Sequence, residues 1–438
     1  MKLEIKLIAL LLCLSTLLLC VSACRDANAS AETVKPNESA RNESDITDTQ
    51  KSSDAQSESQ ETVDYSVDLE NIFEHGYIDP KKVAITDKDG NAKNLICIYL
   101  ESMETTYGSM DAGGAQKVIN YIPSLTELAK NNISFSNSEN TLGGFVSLQG
   151  TGWTMGALLG TTSGAPFLLA EIGEQSHNSL GKDGTFLNGL TTLGDVLKEK
   201  GYNQEFLCGS KASFGGRKTY FEVHGGYEIF DLQSARDKGY VAPDYDNGFW
   251  GIEDCILYKI AKDELTALAN KGEPFNFTML TVDTHHVGGY ICEKCGNEFS
   301  EKLGNVVLCA DMQVMDFVEW CMKQDFYKDS VIVIMGDHPR MDSRLVKGVD
   351  FFDRTMYNCF INSAIEPQGD TKRRAIASFD MFPSVLAALG YEIEGERLGL
   401  GTNIFSSEPT LCEKYGVEAI EGAVSLPSAF YRKNFMKK

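Results

Sequence analysis

Val331-Ile332-Val333-Ile334-Met335-Gly336-Asp337-His338 is the stretch whose reading decides the fold. Five apolar residues, mostly β-branched, run into a glycine and then two strong metal ligands. A fully apolar run of this length reads as a strand buried on both faces, the usual state in a parallel sheet. Open α/β sheets build their ligand crevices just past the carboxyl ends of such strands. Gly336 lets the backbone turn there without a side-chain clash.

Two further stretches end the same way. Asn94 to Leu100 (NLICIYL) runs directly into Glu101, and Phe275 to Val282 (FNFTMLTV) into Asp283-Thr284-His285-His286. Asn203 to Leu207 reads as another strand, and Ile133 to Ser136 as a short one. Helical signals lie between them. Ser124-x-x-Glu127 forms a capping box for a helix ending near Asn131. Thr192 to Lys200 is amphipathic and stopped by Gly201. Helical periodicity also covers Ile252 to Ala269, Val306 to Gln324 and Phe379 to Leu389. Strands alternating with helices predict an α/β fold, a mostly parallel sheet sandwiched by helices.

The chain has 438 residues, 42% of them hydrophobic, enough for a large core. Length alone allows two to three domains, but the alternation runs on as one catalytic domain over 65–405, with a small C-terminal extension at 406–438. The net charge of −22 argues against nucleic acid, because phosphate contacts need clustered Lys and Arg. A phosphate-bearing substrate stays open, since a metal can supply positive charge locally.

Residues 1–24 pair two lysines with a long apolar run and end in Val21-Ser22-Ala23-Cys24. This reads as a secretory signal, and its ending resembles a bacterial lipobox, with Cys24 the lipidated residue after cleavage. An ordinary signal peptide or an uncleaved anchor is the alternative. Each places the rest of the chain outside the cytoplasm, at a membrane surface if lipidated. Residues 25–64 are rich in Asp, Glu, Ser, Asn and Gln with no aromatic. Such a composition predicts a disordered linker. Nine of the twelve cysteines lie beyond the targeting segment. Cys97, inside an apolar run, is expected to be a free buried thiol. Cys292, Cys295 and Cys309 would need a fourth ligand to hold zinc, and the other cysteines are distant in sequence. In an exported protein the expectation is a disulfide from Cys309 to Cys295 or Cys292.

The chemistry rests on position. Asp337-His338 alone could be a hydrogen-bonded turn, and Glu101 alone a helix cap. Shared placement at strand ends makes two carboxylates and an imidazole a candidate site for one divalent ion, Mn²⁺, Zn²⁺ or Mg²⁺. Thr154, in Gln149-Gly150-Thr151-Gly152-Trp153-Thr154, opens a helical segment, where unpaired N–H groups favour an anion. Its hydroxyl is either a plain N-cap or a nucleophile activated by the metal.

The order LESM (Leu100 to Met103), GTGWT (Gly150 to Thr154), TVDTHH (Thr281 to His286) and GDH (Gly336 to His338) resembles the phosphoglycerol transferases. These belong to the alkaline phosphatase and sulfatase superfamily and include lipoteichoic acid synthase and the osmoregulated glucan phosphoglycerol transferase. The resemblance covers roughly residues 92–405, and GTGWT is most similar to the glucan branch. It implies Glu101, Thr154, Asp337 and His338 around one metal, Mn²⁺ first, with Mg²⁺ or Zn²⁺ as alternatives. Thr154 would be the nucleophile, with Thr151 second. His285 would meet the transferred phosphoryl group, with His286 as runner-up, and Arg217 would grip the phosphate. The partners implied are a phosphatidylglycerol donor and a glycan or glycolipid acceptor. In lipoteichoic acid synthase a histidine, an aspartate and a tryptophan precede that arginine; here Cys208, Ser210 and Gly215 stand there. Where the family commonly carries a transmembrane bundle, the expectation here is a lipid anchor at Cys24.

Relatives can be rejected. Sulfatases that make formylglycine need Cys/Ser-x-Pro-x-Arg, and Ser407 to Leu411 and Ser425 to Ala429 both lack the arginine. Two-metal phosphatases need more histidines, and none follows His338. Hydrolysis, as a phosphodiesterase or sulfatase-like enzyme, uses the same nucleophile and stays open, as does a surface lipoprotein that binds without turnover.

Overall fold

The computed structural model describes residues 67–172 and 181–437. The expected signal peptide, Cys24 and the 25–64 linker lie outside the described residues. Six strands form the central sheet: β1 (Asn94–Leu100), β2 (Asn203–Cys208), β3 (Glu228–Phe230), β4 (Phe275–Leu280), β5 (Ser330–Gly336) and β6 (Asn358–Ile361). Their spatial order is β3-β2-β4-β1-β5-β6. All neighbours are parallel except β5 and β6. The apolar runs therefore fold as expected, with every residue of β4 and β5 buried.

Ten helices matter here: α1 (Pro123–Asn131), α2 (Thr154–Ser163), α3 (Leu193–Glu199), α4 (Arg217–Val223), α5 (Asp254–Ala269), α6 (Lys302–Met322), α7 (Met381–Leu389), α8 (Leu411–Tyr415), α9 (Val417–Val424) and α10 (Ala429–Phe435). Side chains alternate across a strand, so β1 serves two cores. Leu95, Cys97 and Tyr99 pack with α2, α3, α4 and α7. Ile96, Ile98 and Leu100 pack with α1, α5 and α6. The C-terminal stretch 406–437 is no separate body, because Ile420, Val424, Tyr431 and Phe435 join the first core. Ile334, fully buried in the second core, is a direct test of this packing. Ile334→Ala should cost about 2–5 kcal/mol through lost transfer and an unfilled cavity, read from the denaturant midpoint.

Three local expectations need correction. Ile133 to Ser136 is no strand, only a single bridge from Ile133 to Phe360. The capping box proposed for α1 is not made. Its first amides donate instead to Asp311 of α6, Ser124 N at 2.9 Å and Leu125 N at 2.8 Å, so a buried carboxylate from another helix does the capping. The disulfide from Cys309 is not formed: Cys292 Sγ lies 3.7 Å from both Cys295 Sγ and Cys309 Sγ. Cys97 is a free buried thiol as expected.

Candidate active site

Register places the ligands. Leu100 lies opposite Gly336 across the β1–β5 pair, and Tyr99 opposite Leu280 across the β1–β4 pair. The residues that follow these strands therefore emerge at one level of the sheet. Gly336 is required there by a close approach, since a Cβ would sit 2.0 Å from the Met103 carbonyl oxygen.

Glu101, Asp337 and His338 are buried, and their ligand atoms lie within 4.8 Å of one another. His338 Nε2 is 3.4 Å from Glu101 Oε1 and 3.5 Å from Asp337 Oδ2. His338 Nδ1 is 2.9 Å from the Pro339 carbonyl. A carbonyl only accepts, so Nδ1 carries a proton and Nε2 is the nitrogen that faces the carboxylates. Asp337 Oδ1 accepts from the amides of Ser102 and His338, both at 2.7 Å. Asp337 Oδ2 is buried and meets no donor. Ser102, in a left-handed conformation with φ 50°, also donates its hydroxyl to Glu101 Oε1 at 2.8 Å. Such a conformation costs on the order of 1 kcal/mol and persists where its surroundings impose it.

Electrostatics show what the cluster lacks. Burial pushes the Asp337 carboxyl up to about 7, and the Glu101 charge adds to this. Burial also opposes ionisation of Glu101, but the nearby imidazoles of His338 and His285 outweigh it and hold that carboxyl below its usual range. An orphaned carboxylate oxygen, a bare imidazole nitrogen and two crowded carboxylates fit one divalent ion.

Thr154 is the first residue of α2, with Trp153 in the cap position and no side-chain cap bond. Its Oγ1 lies 3.3 Å from His338 Nε2 and 3.4 Å from Glu101 Oε2. The hydroxyl therefore joins the cluster rather than capping the helix. Thr151 is fully buried and turned the other way, donating to the Leu148 carbonyl at 2.8 Å and accepting from the Leu148 amide at 2.9 Å.

A cavity of about 560 Å³ opens over this cluster, lined in part by Thr154, Arg217, His285, His286 and Trp250. Gly215 and Gly216, with φ 67° and 77°, turn the chain back so that Arg217 folds over its own loop. Its guanidinium donates to Phe214 O at 3.1 Å, Ser210 Oγ at 2.9 Å and Lys211 O at 3.0 Å. Among the described residues Arg217 forms no ion pair with a carboxylate. His285 Nδ1 is 2.6 Å from the His286 carbonyl, and its ring lies 4.4 Å from Trp250 and 4.5 Å from His286. Burial lowers its imidazole below the ordinary value, which keeps it neutral near pH 7. Glu101, Thr154, Arg217, His285, His286, Asp337 and His338, seven residues read from the sequence, thus meet at one end of the sheet.

Other contributors were not read from the sequence. Phe249 and Trp250, in a Gly-flanked aromatic pair, form the wall beside His285. Arg340, two residues past His338, is buried, pairs with Asp342 and donates to the Thr284 carbonyl at 2.6 Å. It braces the histidine-bearing loop. The PR that follows GDH was the available signal.

The fold is shared with solved structures. One is a protein in the alkaline phosphatase superfamily from Vibrio parahaemolyticus, 22% identical, TM-score 0.56, covering 78% of this chain and 77% of that one. Another is the lipoteichoic acid synthase LtaP from Listeria monocytogenes, 17% identical, TM-score 0.55, covering 75% and 82%. The architecture is therefore that of the alkaline phosphatase superfamily. The chain belongs to the Sulfatase family, whose profile matches residues 93–391. Members of that superfamily use a divalent metal, in line with the cluster's donor set. Among curated relatives, phosphoglycerol transferase I of Xanthomonas campestris pv. campestris is 30% identical over 322 residues, 72% of this chain and 43% of its own. Phosphoglycerol transferase I of Salmonella choleraesuis is 29% identical, over 72% of this chain and 39% of its own. The chain thus spans about two fifths of the length of these relatives.

Proposed function

We propose that this chain transfers phosphoglycerol from phosphatidylglycerol to a hydroxyl of a cell-surface glycan or glycolipid, through a phosphoglyceryl-threonine at Thr154. One observation carries the reading: the Thr154 hydroxyl stands 3.3 Å from His338 Nε2 and 3.4 Å from Glu101 Oε2, beneath a cavity that Arg217 and His285 also line. The names of the matched relatives support the choice of phosphoglycerol.

In the first half, the ionised Thr154 oxygen forms a bond to phosphorus and the bond to the diacylglycerol oxygen breaks. In the second, the acceptor oxygen attacks phosphorus and Thr154 leaves. Neutral His285 takes the acceptor's proton. In the first half it takes the proton that Thr154 gives up and passes it to the departing diacylglycerol oxygen, and in the second it returns the acceptor's proton to Thr154. Arg217 holds phosphoryl oxygens through Nη1, since its Nε and Nη2 donate to its own loop, and it pairs with no carboxylate among the described residues. His286, stacked on His285, is the second candidate for phosphate contact. Glu101, Asp337 and His338 would hold a divalent ion, whose charge would lower the hydroxyl pKa and offset the charge on the phosphoryl oxygens. Manganese is the first choice for that mixed oxygen and nitrogen set, with magnesium or zinc as alternatives. In this reading Cys24 carries the lipid that keeps the enzyme beside its membrane donor, outside the cytoplasm.

Labelled phosphatidylglycerol incubated with candidate glycans tests the reaction. Label on the glycan supports transfer; free glycerol phosphate as sole product makes the protein a hydrolase. Arg217→Ala should lower kcat/KM by about 10²-fold, the typical loss on deleting one charge-stabilising donor. Arg217→Lys should recover little, because one ammonium cannot hold the Phe214, Ser210 and Lys211 contacts and reach phosphate at once. Equal activity of all three proteins would remove Arg217 from the site.

A further inference from the structure

Four cysteines from three separate parts of the chain meet between α5 and α6. Cys255 is near the start of α5, Cys292 and Cys295 sit in the loop after His286, and Cys309 lies on α6. Cys292 is the shared vertex. Its sulfur is 3.7 Å from Cys295 Sγ and 3.7 Å from Cys309 Sγ, the three sulfurs lie within 4.8 Å of one another, and Cys255 packs in the same buried cluster. We propose that Cys255, Cys292, Cys295 and Cys309 bind one Zn²⁺ in a closed structural site that fixes the loop carrying His285 and His286.

The spacing fits that ion. Zinc–sulfur bonds of about 2.3 Å in a tetrahedron place neighbouring sulfurs about 3.8 Å apart. A disulfide is pairwise, with its two sulfurs about 2 Å apart, and does not call for one sulfur placed equally far from two others. The polar surroundings point the same way. Buried Gln313 aims Nε2 at Cys309 Sγ at 3.3 Å and at Cys292 Sγ at 3.8 Å, while its Oε1 has no partner. Donors turned towards sulfur suit thiolates, whereas thiol sulfur is only a weak acceptor. Such outer contacts orient ligands in metal sites. Zinc would displace the thiol protons on binding.

The location gives the site a purpose. Residues 281–301 contain no helix or strand, yet they carry His285 and His286. Beyond them the loop is tied by Lys302 Nζ to the Gly289 carbonyl at 2.6 Å and by the Tyr290 amide to the Asp283 carbonyl at 2.7 Å. A tetrathiolate centre would pin its far half to both α5 and α6. This site is separate from the Glu101, Asp337 and His338 cluster and does not depend on the reaction assigned to it.

The test uses the full chain with Asp337→Asn, which disables the other metal cluster. Elemental analysis should find one zinc per chain, and X-ray absorption at the zinc edge should show four sulfurs at about 2.3 Å. Cobalt exchange should give thiolate-to-metal charge-transfer bands, lost when Cys255→Ser and Cys309→Ser are added. Hydrogen exchange across 283–301 should rise in the same variant. A zinc-free protein, oxygen or nitrogen neighbours at the zinc edge, or non-reducing peptide maps showing these cysteines joined as disulfides would overturn the proposal. The absorption measurement leaves all four cysteines intact, so a misfolded cysteine variant does not obscure the result.

Discussion

Thr154→Ala is expected to abolish phosphoglycerol transfer, with kcat reduced on the order of 10⁴-fold or more, the scale seen when a covalent nucleophile is deleted. Stability should change by less than about 1 kcal/mol, for three reasons. Thr154 is not the cap of α2, its side chain is only partly buried, and its hydrogen bonds at 3.3 and 3.4 Å are long. Thr154→Ser should retain part of the activity, because the hydroxyl survives. Quenched wild-type protein turning over phosphatidylglycerol should carry a glycerol phosphate adduct on the peptide containing Thr154, absent in the alanine variant. Thr151→Ala gives the opposite pattern. Thr151 clamps its turn through both the amide and the carbonyl of Leu148, so its loss should cost about 1 kcal/mol of stability. Turnover per folded molecule should stay near normal. If Thr154→Ala keeps its activity, or if Thr151→Ala is the dead one, the nucleophile has been misassigned.

The sheet was legible because burial on both faces leaves an unbroken apolar run, and β1, β4 and β5 each have one. Their parallel pairing follows from helical segments long enough to cross over between them. The clustering of Glu101, Asp337 and His338 was legible for the same reason, since a polar residue directly after a buried strand has few structural duties. What escaped depends on contacts between distant segments. Asp311 caps α1 from another helix, a bond that no local spacing announces. Cys255 lies far from Cys292 in sequence yet beside it in space, and this removes the ground on which zinc was set aside. Arg340 and the aromatic pair Phe249 and Trp250 reach the site from loops, where neither periodicity nor burial pattern fixes direction.

Removing the divalent ion, or its ligand Asp337, is the second large effect expected. Asp337 presents one oxygen to two amides and a second, buried oxygen to nothing. Its carboxyl is pushed up to about 7, first by burial and then by Glu101, with His338 opposing. The unfolded value is about 3.9. A folded pKa above the unfolded one means that the metal-free fold prefers the protonated acid. Its contribution to stability is complete below about pH 4 and is lost as pH rises towards 7. A cation needs the deprotonated form, so its stabilisation grows over the same interval. The Tm gain on adding Mn²⁺ should therefore be small at pH 5 and large at pH 7.5, reaching about 2.7 kcal/mol at a hundredfold excess over Kd. Asp254 and Asp380, also pushed up to about 7 by burial, tilt the metal-free curve in the same direction. The contrast between wild type and Asp337→Asn isolates the site from that background. Asp337→Asn keeps an oxygen for the two amides but removes a charge, so its metal-free form should lose less stability between pH 5 and 7.5. Its Tm should no longer respond to Mn²⁺, and transfer should fall by on the order of 10³-fold or more. A chelated wild-type protein that keeps both its activity and its Tm would show that Glu101, Asp337 and His338 are not assembled for a metal.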